Sequence, residues 1–252
     1  MENSTGETIT DVTSPEAGKK AMIKAIFYPA LLAILMWIVK LIETLFDLRF
    51  TALGIKPRTI DGLFGIIASP FIHADYLHLI SNTIPFLLLG AALIYFYKSI
   101  AFRVFILIIL LTGVWVWLAG RPSYHIGASG VVYGLAFFLF LSGIFRKDRS
   151  LMAFSLLVVF LYGGIIWGIL PLDSGMSWEG HLFGALSGII CAFAFRKEGP
   201  QRKRFEWEDE EDNENDENPD SDIISGEDKK PGPVQINYTI SDKKDSTGED
   251  KS

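Results

Sequence analysis

Several features that define other protein classes are scarce or missing in this chain. One cysteine, Cys191, occurs among 252 residues, so a scaffold held together by disulfides is excluded. The sequence has no large basic face, which excludes a nucleic-acid binder. Residues 1–18 contain no apolar run, so we expect no cleaved signal peptide and expect the first helix to act as the export signal.

Apolar residues, in contrast, are abundant. They make up 50% of the chain, aromatic residues make up 13%, and the mean hydropathy is +0.31. These values are too high for an ordinary soluble domain and indicate a membrane protein. Charge divides the chain, since residues 1–200 carry 15 Lys+Arg against 12 Asp+Glu, a net +3, and residues 201–252 carry 8 against 17, a net −9.

Six apolar runs lie between these polar ends, at residues 21–46, 76–97, 101–119, 129–145, 151–170 and 180–195. A helix needs roughly 20 apolar residues to cross a hydrocarbon core about 30 Å thick. The fourth and sixth runs are short enough to be buried helices of a soluble protein, but six runs so close together leave no soluble surface. We therefore expect an all-α membrane protein with a bundle of six transmembrane helices, because backbone polar groups in lipid must be satisfied within each segment.

Lysines and arginines beside the runs predict the orientation of the bundle, since they favour the cytoplasmic side. With the N-terminus in the cytoplasm, thirteen of them lie inside and four outside. The thirteen are Lys19, Lys20, Lys24, Lys98, Arg103, Arg146, Lys147, Arg149, Arg196, Lys197, Arg202, Lys203 and Arg204; the four are Arg49, Lys56, Arg58 and Arg121. Both termini are thus predicted to be cytoplasmic, in an integral multi-pass protein of a bacterial plasma (inner) membrane.

The domain organisation follows from these patterns. We expect residues 1–18 to be a disordered cytoplasmic N-terminus and residues 19–200 to be the six-helix membrane domain. Residues 201–252 are predicted to be a disordered acidic cytoplasmic tail, because 11 acidic residues between Glu206 and Asp222 leave too little apolar surface to bury. The outside connection at residues 47–75 is amphipathic and is predicted to lie in the membrane interface.

Polar side chains in membrane helices are costly, so their positions are informative. The segment HADYLHLISN contains His73, His78 and Asn82 at the start of the second run. His78 and Asn82 are four residues apart and share one helix face. A single His or Asn here is more often a hydrogen-bonding contact to a neighbouring helix than a functional group.

The segment GRPSYHIGASGVVYG places Ser129 between small residues, including Gly127 and Gly130, at the predicted start of the fourth helix. Helix N-termini present unpaired N–H groups and a positive dipole end. A nucleophile that attacks a carbonyl benefits from an uncrowded oxygen and nearby donors for the developing oxyanion. Serine is also a favoured N-cap, so this motif alone is a weak signal.

The segment EGHLFGALSG places His181 at the start of the last run. Glycines recur every four residues in both helices: Gly180, Gly184 and Gly188 in the sixth, and Gly130 and Gly134 in the fourth. Such tracks let two helix backbones approach closely in lipid. A close crossing here is predicted to bring the hydroxyl of Ser129 within about 3 Å of the imidazole of His181, as general-base activation requires.

These three segments, in this order and spacing, resemble the rhomboid family of intramembrane serine proteases. The resemblance is carried by HADYLHLISN, GASGVVY and GHLFG and covers roughly residues 21–195. It implies a six-helix core, no cofactor and no metal, and substrates that are transmembrane-helix proteins within membrane lipid.

The resemblance also implies roles for individual residues. Ser129 would be the nucleophile and His181 the general base. His78, Asn82 and the backbone N–H of Ser129 would form the oxyanion hole. Supporting roles would fall to Tyr133, beside the imidazole, to His73 near the oxyanion, and to Gly127 and Gly130.

The sequence departs from the family pattern in two places. No tryptophan occurs in residues 47–75, where relatives often have Trp-Arg, and Gly180 replaces a frequent alanine. No aspartate is available as a third catalytic member, and Glu179 is predicted to point away from His181 toward the interface.

Two alternatives to a protease are compatible with parts of this sequence. A catalytically inactive rhomboid-like protein would bind transmembrane segments without cutting them, although such proteins usually lack the Ser or the His. A metal site made by His73, His78, His181 and Asp75 is weakly supported, because H-E-x-x-H is absent and no span carries paired acidic ligands.

Overall fold

A computed structural model describes residues 15–147, 149–161 and 177–199 of the chain. The chain divides into two units, Met1–Lys203 and Arg204–Ser252, and every described residue belongs to the first. Two predicted segments lie outside the described residues: the acidic tail at 201–252 and residues 1–14 of the N-terminus.

The described part of the chain is helical. Its α-helices are α1 (Pro15–Leu45), α2 (Gly65–Ala68), α3 (Tyr76–Phe96), α4 (Ala101–Ala119), α5 (Ser129–Phe145), α6 (Arg149–Leu161) and α7 (Trp178–Ala194). Three short 3-10 helices occupy Phe50–Leu53, Asp61–Leu63 and Ser69–Phe71.

Helix α1 begins six residues before the predicted start of the first run. Residues 15–18, predicted as part of the disordered N-terminus, are helical. The described helix continues from Pro15 through residues 16–20, whose small and charged side chains the apolar pattern does not register. It packs on α3, where a side chain at Gly90 would meet Pro29 at 3.0 Å.

The remaining helices follow the predicted runs closely. α4 and α5 coincide with the runs at 101–119 and 129–145, and α3 ends one residue before the predicted 97. α7 starts two residues earlier than predicted because Ser177 caps it, its Oγ accepting from the N–H of Gly180 at 3.3 Å. The part of the fifth run beyond α6, residues 162–170, lies outside the described residues.

Length and apolarity mark three of these helices as able to cross a membrane: Gly18–Leu45 within α1, α3 and α4. α5 and α7 are also apolar, but at 17 residues each they are about 26 Å long and fall short by this criterion. Large apolar side chains such as Met22, Phe27 and Leu31 are exposed along α1, as expected of a surface that faces lipid. The described structure is thus that of an all-α membrane protein.

The connection at residues 47–75 packs inward on the end of α4. A side chain at Gly113 of α4 would meet the side chain of Ile66 at 2.6 Å. The guanidinium of Arg58 donates to the carbonyls of Leu118 and Gly120, at 3.1 and 2.9 Å. Arg58 therefore satisfies carbonyl groups at the C-terminal end of α4 that have no partner within the helix.

Helix α5 is at the centre of the bundle and contacts α3, α4, α6 and α7. Its most extensive contact is with α7, and glycines line it. A side chain at Gly184 would overlap the carbonyl oxygen of Gly130, and one at Gly188 would overlap that of Gly134. The two backbones touch directly at these positions.

Gly180 contributes differently to this contact. Its carbonyl oxygen lies 3.0 Å from where a side chain of Gly130 would begin, but a side chain at position 180 would point toward Ser177. A buried hydrogen bond of 3.1 Å between the hydroxyls of Thr112 and Ser187 joins α7 to α4.

Replacing Gly184 with alanine tests this packing. The added methyl group has to displace the backbone of Gly130, because no flexible side chain is there to move. We expect Gly184→Ala to lower the free energy of unfolding by about 1–3 kcal/mol. Thermal unfolding in detergent measures it.

Gly18→Ala is the matched control, since nothing lies within 4 Å of the added carbon and alanine favours a helix. A Gly184→Ala protein that unfolds at or above the parental temperature contradicts the close backbone contact.

Candidate active site

Ser129 is the first residue of α5, at the end of a loop that leads in from α4. Gly127, two residues earlier, has φ = +103°, a backbone conformation that other residues rarely adopt. Its N–H donates to the carbonyl of Ser69 at 2.9 Å. This turn presents the half-buried hydroxyl of Ser129 beside the start of α7.

His181 lies in the first turns of α7 and is buried. Its Nε2 is 2.8 Å from Oγ of Ser129, a hydrogen-bond distance. The contact joins side chains 52 residues apart in the chain and lies at the end of the glycine-lined crossing of α5 and α7.

The ring of Tyr133 covers one face of the imidazole. Its centroid is 4.3 Å from that of His181, and the two planes are 7° apart, so the rings are stacked. Tyr133 is one turn after Ser129 on α5, so the same helix supplies the hydroxyl and the surface on which the imidazole rests.

His78 and Asn82 lie on α3 against the turn that precedes Ser129. A side chain at Gly127 would meet the His78 ring at 2.7 Å and Nδ2 of Asn82 at 3.7 Å. The amide of Asn82 donates to the carbonyl of His78 at 3.1 Å, and Asp75 caps the helix by accepting from the N–H of His78 at 2.7 Å. Any side chain at position 127 would occupy the space beside both residues.

His73 is buried at the turn before α3, with 1% of its surface exposed. Its ring lies edge-on to that of His78, with centroids 5.1 Å apart. Nε2 of His73 accepts from the backbone N–H of Ala128 at 3.4 Å, which attaches this turn to the residue before Ser129.

The residues predicted for catalysis, the oxyanion hole and its support therefore lie at the N-terminal ends of α3, α5 and α7, and the packing glycines continue along the crossing of α5 and α7. A family model, the rhomboid domain, matches residues 61–198, which contain all of them. The chain belongs to the rhomboid family.

Curated relatives of this rhomboid come from mycobacteria. Uncharacterised proteins of Mycobacterium bovis and Mycobacterium tuberculosis are each 38% identical to it over 178 residues, which cover 67% of this chain and 73% of the relative. An uncharacterised protein of Mycobacterium leprae is 35% identical over 178 residues, covering 67% of this chain and 70% of its own length.

The side chain of Glu179 is buried in the protein, whereas the sequence predicted it at the membrane interface. The interpretation that its side chain points to the membrane interface is wrong, because only 3% of the residue is exposed. Its Oε1 lies 3.2 Å from Nε of Arg121 and accepts from the backbone N–H of Arg121 at 3.2 Å. The position of Glu179, two residues before His181, gives no sign in the sequence of a partner 58 residues away.

The sequence motifs predict no role for His125, although it lies four residues before Ser129 in the rhomboid domain. It is buried, and Nδ1 lies 2.6 Å from Oγ of Ser177. Nε2 lies 3.1 Å from the carbonyl of Arg121. The only sequence signal was a histidine close to a motif that was already assigned.

A cavity of about 30 Å³ lies beside Ser129 in the rhomboid domain, with Ser69, Thr112 and Ser177 among its lining residues. That volume has room for about one water molecule. Within the described ranges, no three His, Cys, Asp or Glu side chains come together in a way that could hold a metal ion.

Burial lowers the pKa of two histidines outside the membrane-spanning helices. Loss of solvation, reinforced by the nearby His78 and Lys40, lowers the pKa of His73 to about 3. Loss of solvation also lowers the pKa of His125, partly offset by the carbonyl of Arg121 and the charge of Glu179. Both imidazoles are therefore neutral near pH 7 in the folded rhomboid.

The pKa of His73 predicts how stability changes with pH. Between pH 6.5 and 3 the unfolded chain protonates this imidazole and the folded chain does not, so stability is lost as the pH falls. The loss from this group is at most about 1.4 kcal/mol per pH unit. In His73→Gln the amide oxygen replaces Nε2 as an acceptor. We expect the free energy of unfolding of this variant to fall less steeply with decreasing pH than that of the parent.

Thermal midpoints in detergent between pH 7 and pH 4 measure this slope. His125 is present in both proteins, so the difference between their slopes reports on His73. Parallel slopes would contradict the lowered pKa.

Proposed function

We propose that this rhomboid is an intramembrane serine endopeptidase that cleaves peptide bonds in or near transmembrane helices of other proteins. The single observation that carries the proposal is the 2.8 Å hydrogen bond between Ser129 and His181, with the imidazole stacked on Tyr133. Family membership supports it, because rhomboids are in general serine proteases.

The first half of the reaction forms an acyl-enzyme. Oγ of Ser129 attacks the carbonyl carbon of the scissile bond while its proton passes to Nε2 of His181. The tetrahedral intermediate collapses, the C–N bond breaks, and His181 gives the proton to the departing amine. The stacked ring of Tyr133 keeps the imidazole in the plane that both transfers need.

The second half of the reaction hydrolyses the ester. Water attacks the acyl carbon, its proton passes to His181, and Ser129 leaves with that proton as the acid half of the substrate is released. The cavity beside Ser129 has room for about one water molecule and is lined by hydroxyl groups that can bind it.

The negative oxygen of each tetrahedral intermediate needs hydrogen-bond donors. His78, Asn82 and the backbone N–H of Ser129 supply them in this proposal. The position of both side chains beside Gly127 supports this: atoms of each lie within 4 Å of the point where a side chain at position 127 would begin. Any side chain at position 127 would overlap the His78 ring, so glycine there lets this ring lie against the turn that leads to Ser129.

The proposed topology has six membrane spans with the N-terminus of α1 and the C-terminal end of α7 in the cytoplasm of a bacterium, at its plasma membrane. The excess of Lys and Arg on that side supports it. Ser129 then lies toward the outer face, where water can enter. A substrate helix has to unwind there, so glycine and proline near the cut favour cleavage.

The test of this function uses the full chain in liposomes with a single-pass model substrate. We expect Ser129→Ala and His181→Ala to abolish cleavage, because each removes one half of the proton transfer. Ser123→Ala is the matched control, since it removes an exposed hydroxyl from the same loop. Mass spectrometry of the products locates the cut.

Cleavage at the parental rate by Ser129→Ala contradicts the proposal. A parent that binds the substrate and leaves it intact favours the alternative, a rhomboid-like protein that binds transmembrane segments without cutting.

The oxyanion donors have their own test. We expect His78→Ala and Asn82→Ala each to lower kcat by about 10²–10³ with little change in KM, because a donor to the oxyanion acts on the transition state. Thr83→Val is the control on α3. Its hydroxyl donates to the carbonyl of Leu79 and accepts from the indole N–H of Trp37, and it has no role in the proposed oxyanion hole. Losses in KM alone would contradict the assignment.

A further inference from the structure

His125 is a buried polar residue to which the proposed reaction gives no role. It lies in the loop that delivers Ser129, and 4% of its surface is exposed. Buried imidazoles without partners are costly, and both nitrogens of this ring have one.

The two partners define the state of the ring. The carbonyl of Arg121 can only accept, so Nε2 carries the proton and donates to it at 3.1 Å. Nδ1 is then the acceptor of the hydroxyl proton of Ser177, at 2.6 Å. The neutral imidazole that this arrangement needs agrees with the lowered pKa of His125.

Ser177 connects this ring to the start of α7. Its Oγ accepts from the N–H of Gly180 at 3.3 Å, and its carbonyl accepts from the N–H of His181 at 3.3 Å. The same residue therefore holds His125 by its hydroxyl and the backbone of His181 by its carbonyl.

The backbone of His125 is anchored as well. Its N–H donates to the carbonyl of Ile55 at 2.8 Å and its carbonyl accepts from the N–H of Ile55 at 2.9 Å. This isolated antiparallel bridge ties the Ser129 loop to the connection at residues 47–75. His125 consequently joins three segments of the rhomboid.

Two Ser–His contacts thus link the Ser129 loop to α7, and the second lies four residues after the first on both segments. In the first contact the loop supplies His125 and the start of α7 supplies Ser177. In the second, the loop side supplies Ser129 and α7 supplies His181. The glycine-lined crossing with α5 already holds the middle of α7. The two Ser–His contacts, about 6 Å apart along the helix, add a constraint on the direction of its N-terminal end.

The ion pair of Arg121 and Glu179 adds a third link between the same two segments, at 3.2 Å. Both charged groups belong to the elements that meet at His125. Together these contacts form a polar cluster on the side of α7 that leads into His181.

We propose that His125 is a positioning residue of the Ser129–His181 pair, which acts through Ser177 to hold the start of α7 where the imidazole meets the hydroxyl. His125 touches neither substrate nor reacting atoms in this role. The catalytic consequence rests on the proposed function, and the structural consequence does not.

The kinetic test uses the full chain in liposomes. We expect His125→Ala and Ser177→Ala each to lower kcat roughly 10- to 100-fold with KM within about twofold, because small misplacements of a catalytic group cost up to about 10² in rate. The double variant should be slower by less than the product of the two single effects, since the two single variants share the loss of the His125–Ser177 link.

Conservative variants separate positioning from general damage. Ser177→Thr keeps the hydroxyl, and His125→Asn keeps an acceptor near Nδ1, so we expect both to restore most of kcat. Tyr124→Ala is the matched control, because it removes an exposed ring from the adjacent position and should cleave at the parental rate.

Hydrogen exchange by mass spectrometry supplies a readout independent of cleavage. We expect His125→Ala to speed exchange at the amides of Gly180 and His181 and to leave α3 unchanged. If His125→Ala does not fold, His125→Phe, which keeps a ring and removes both side-chain hydrogen bonds, is compared with His125→Asn in the same way.

The outcomes distinguish the two proposals. A parent that cleaves, with His125→Ala equal to it in kcat or in exchange, overturns the positioning role and leaves the protease intact. A parent that does not cleave overturns the protease, and faster exchange at positions 180 and 181 then still supports the link to α7, whereas unchanged exchange overturns it.

Discussion

The direct contact between the backbones of α5 and α7 is the constraint on which the rest of this structure depends. Lipid offers no hydrophobic drive to bring helices together, so close packing has to supply the attraction. Gly184 and Gly188 let α7 approach the carbonyls of Gly130 and Gly134 without a side chain between them. This approach places the imidazole of His181 at hydrogen-bond distance from Ser129, because both residues stand at the same end of the crossing.

Charged and polar side chains hold the loops around that end. Lys40 of α1 donates to the carbonyls of His73 and Ala74, at 3.1 and 2.9 Å, and pairs with Glu43 at 3.4 Å. His73 in turn accepts from the N–H of Ala128. Ionisable groups within a membrane helix are costly unless they are paired. Lys40 is paired, and it attaches α1 to the turn that carries His73.

Much of this arrangement could be predicted from the sequence. Apolar runs placed α4 and α5 correctly because such runs record burial in lipid or protein directly. The small residues around Ser129 and the four-residue spacing of glycines predicted which helices cross, since both are local features of a helix face.

Other features could not be predicted from local patterns. The first turn of α1 was missed because it contains small and charged residues. Burial of Glu179 was missed because its partner is 58 residues away. His125 and Lys40 likewise have partners set by tertiary structure, and their spacing in the chain carries no sign of it.

The central claim is that His181 activates Ser129 as a nucleophile, and reaction with a fluorophosphonate tests it most directly, since only an activated hydroxyl reacts. Intact-mass measurement of the full chain in liposomes counts the adducts, and peptide mapping locates them. We expect one adduct on Ser129 in the parent and none in His181→Ala. An unlabelled parent, or a Ser129→Ala protein that is labelled as fast as the parent, would contradict it.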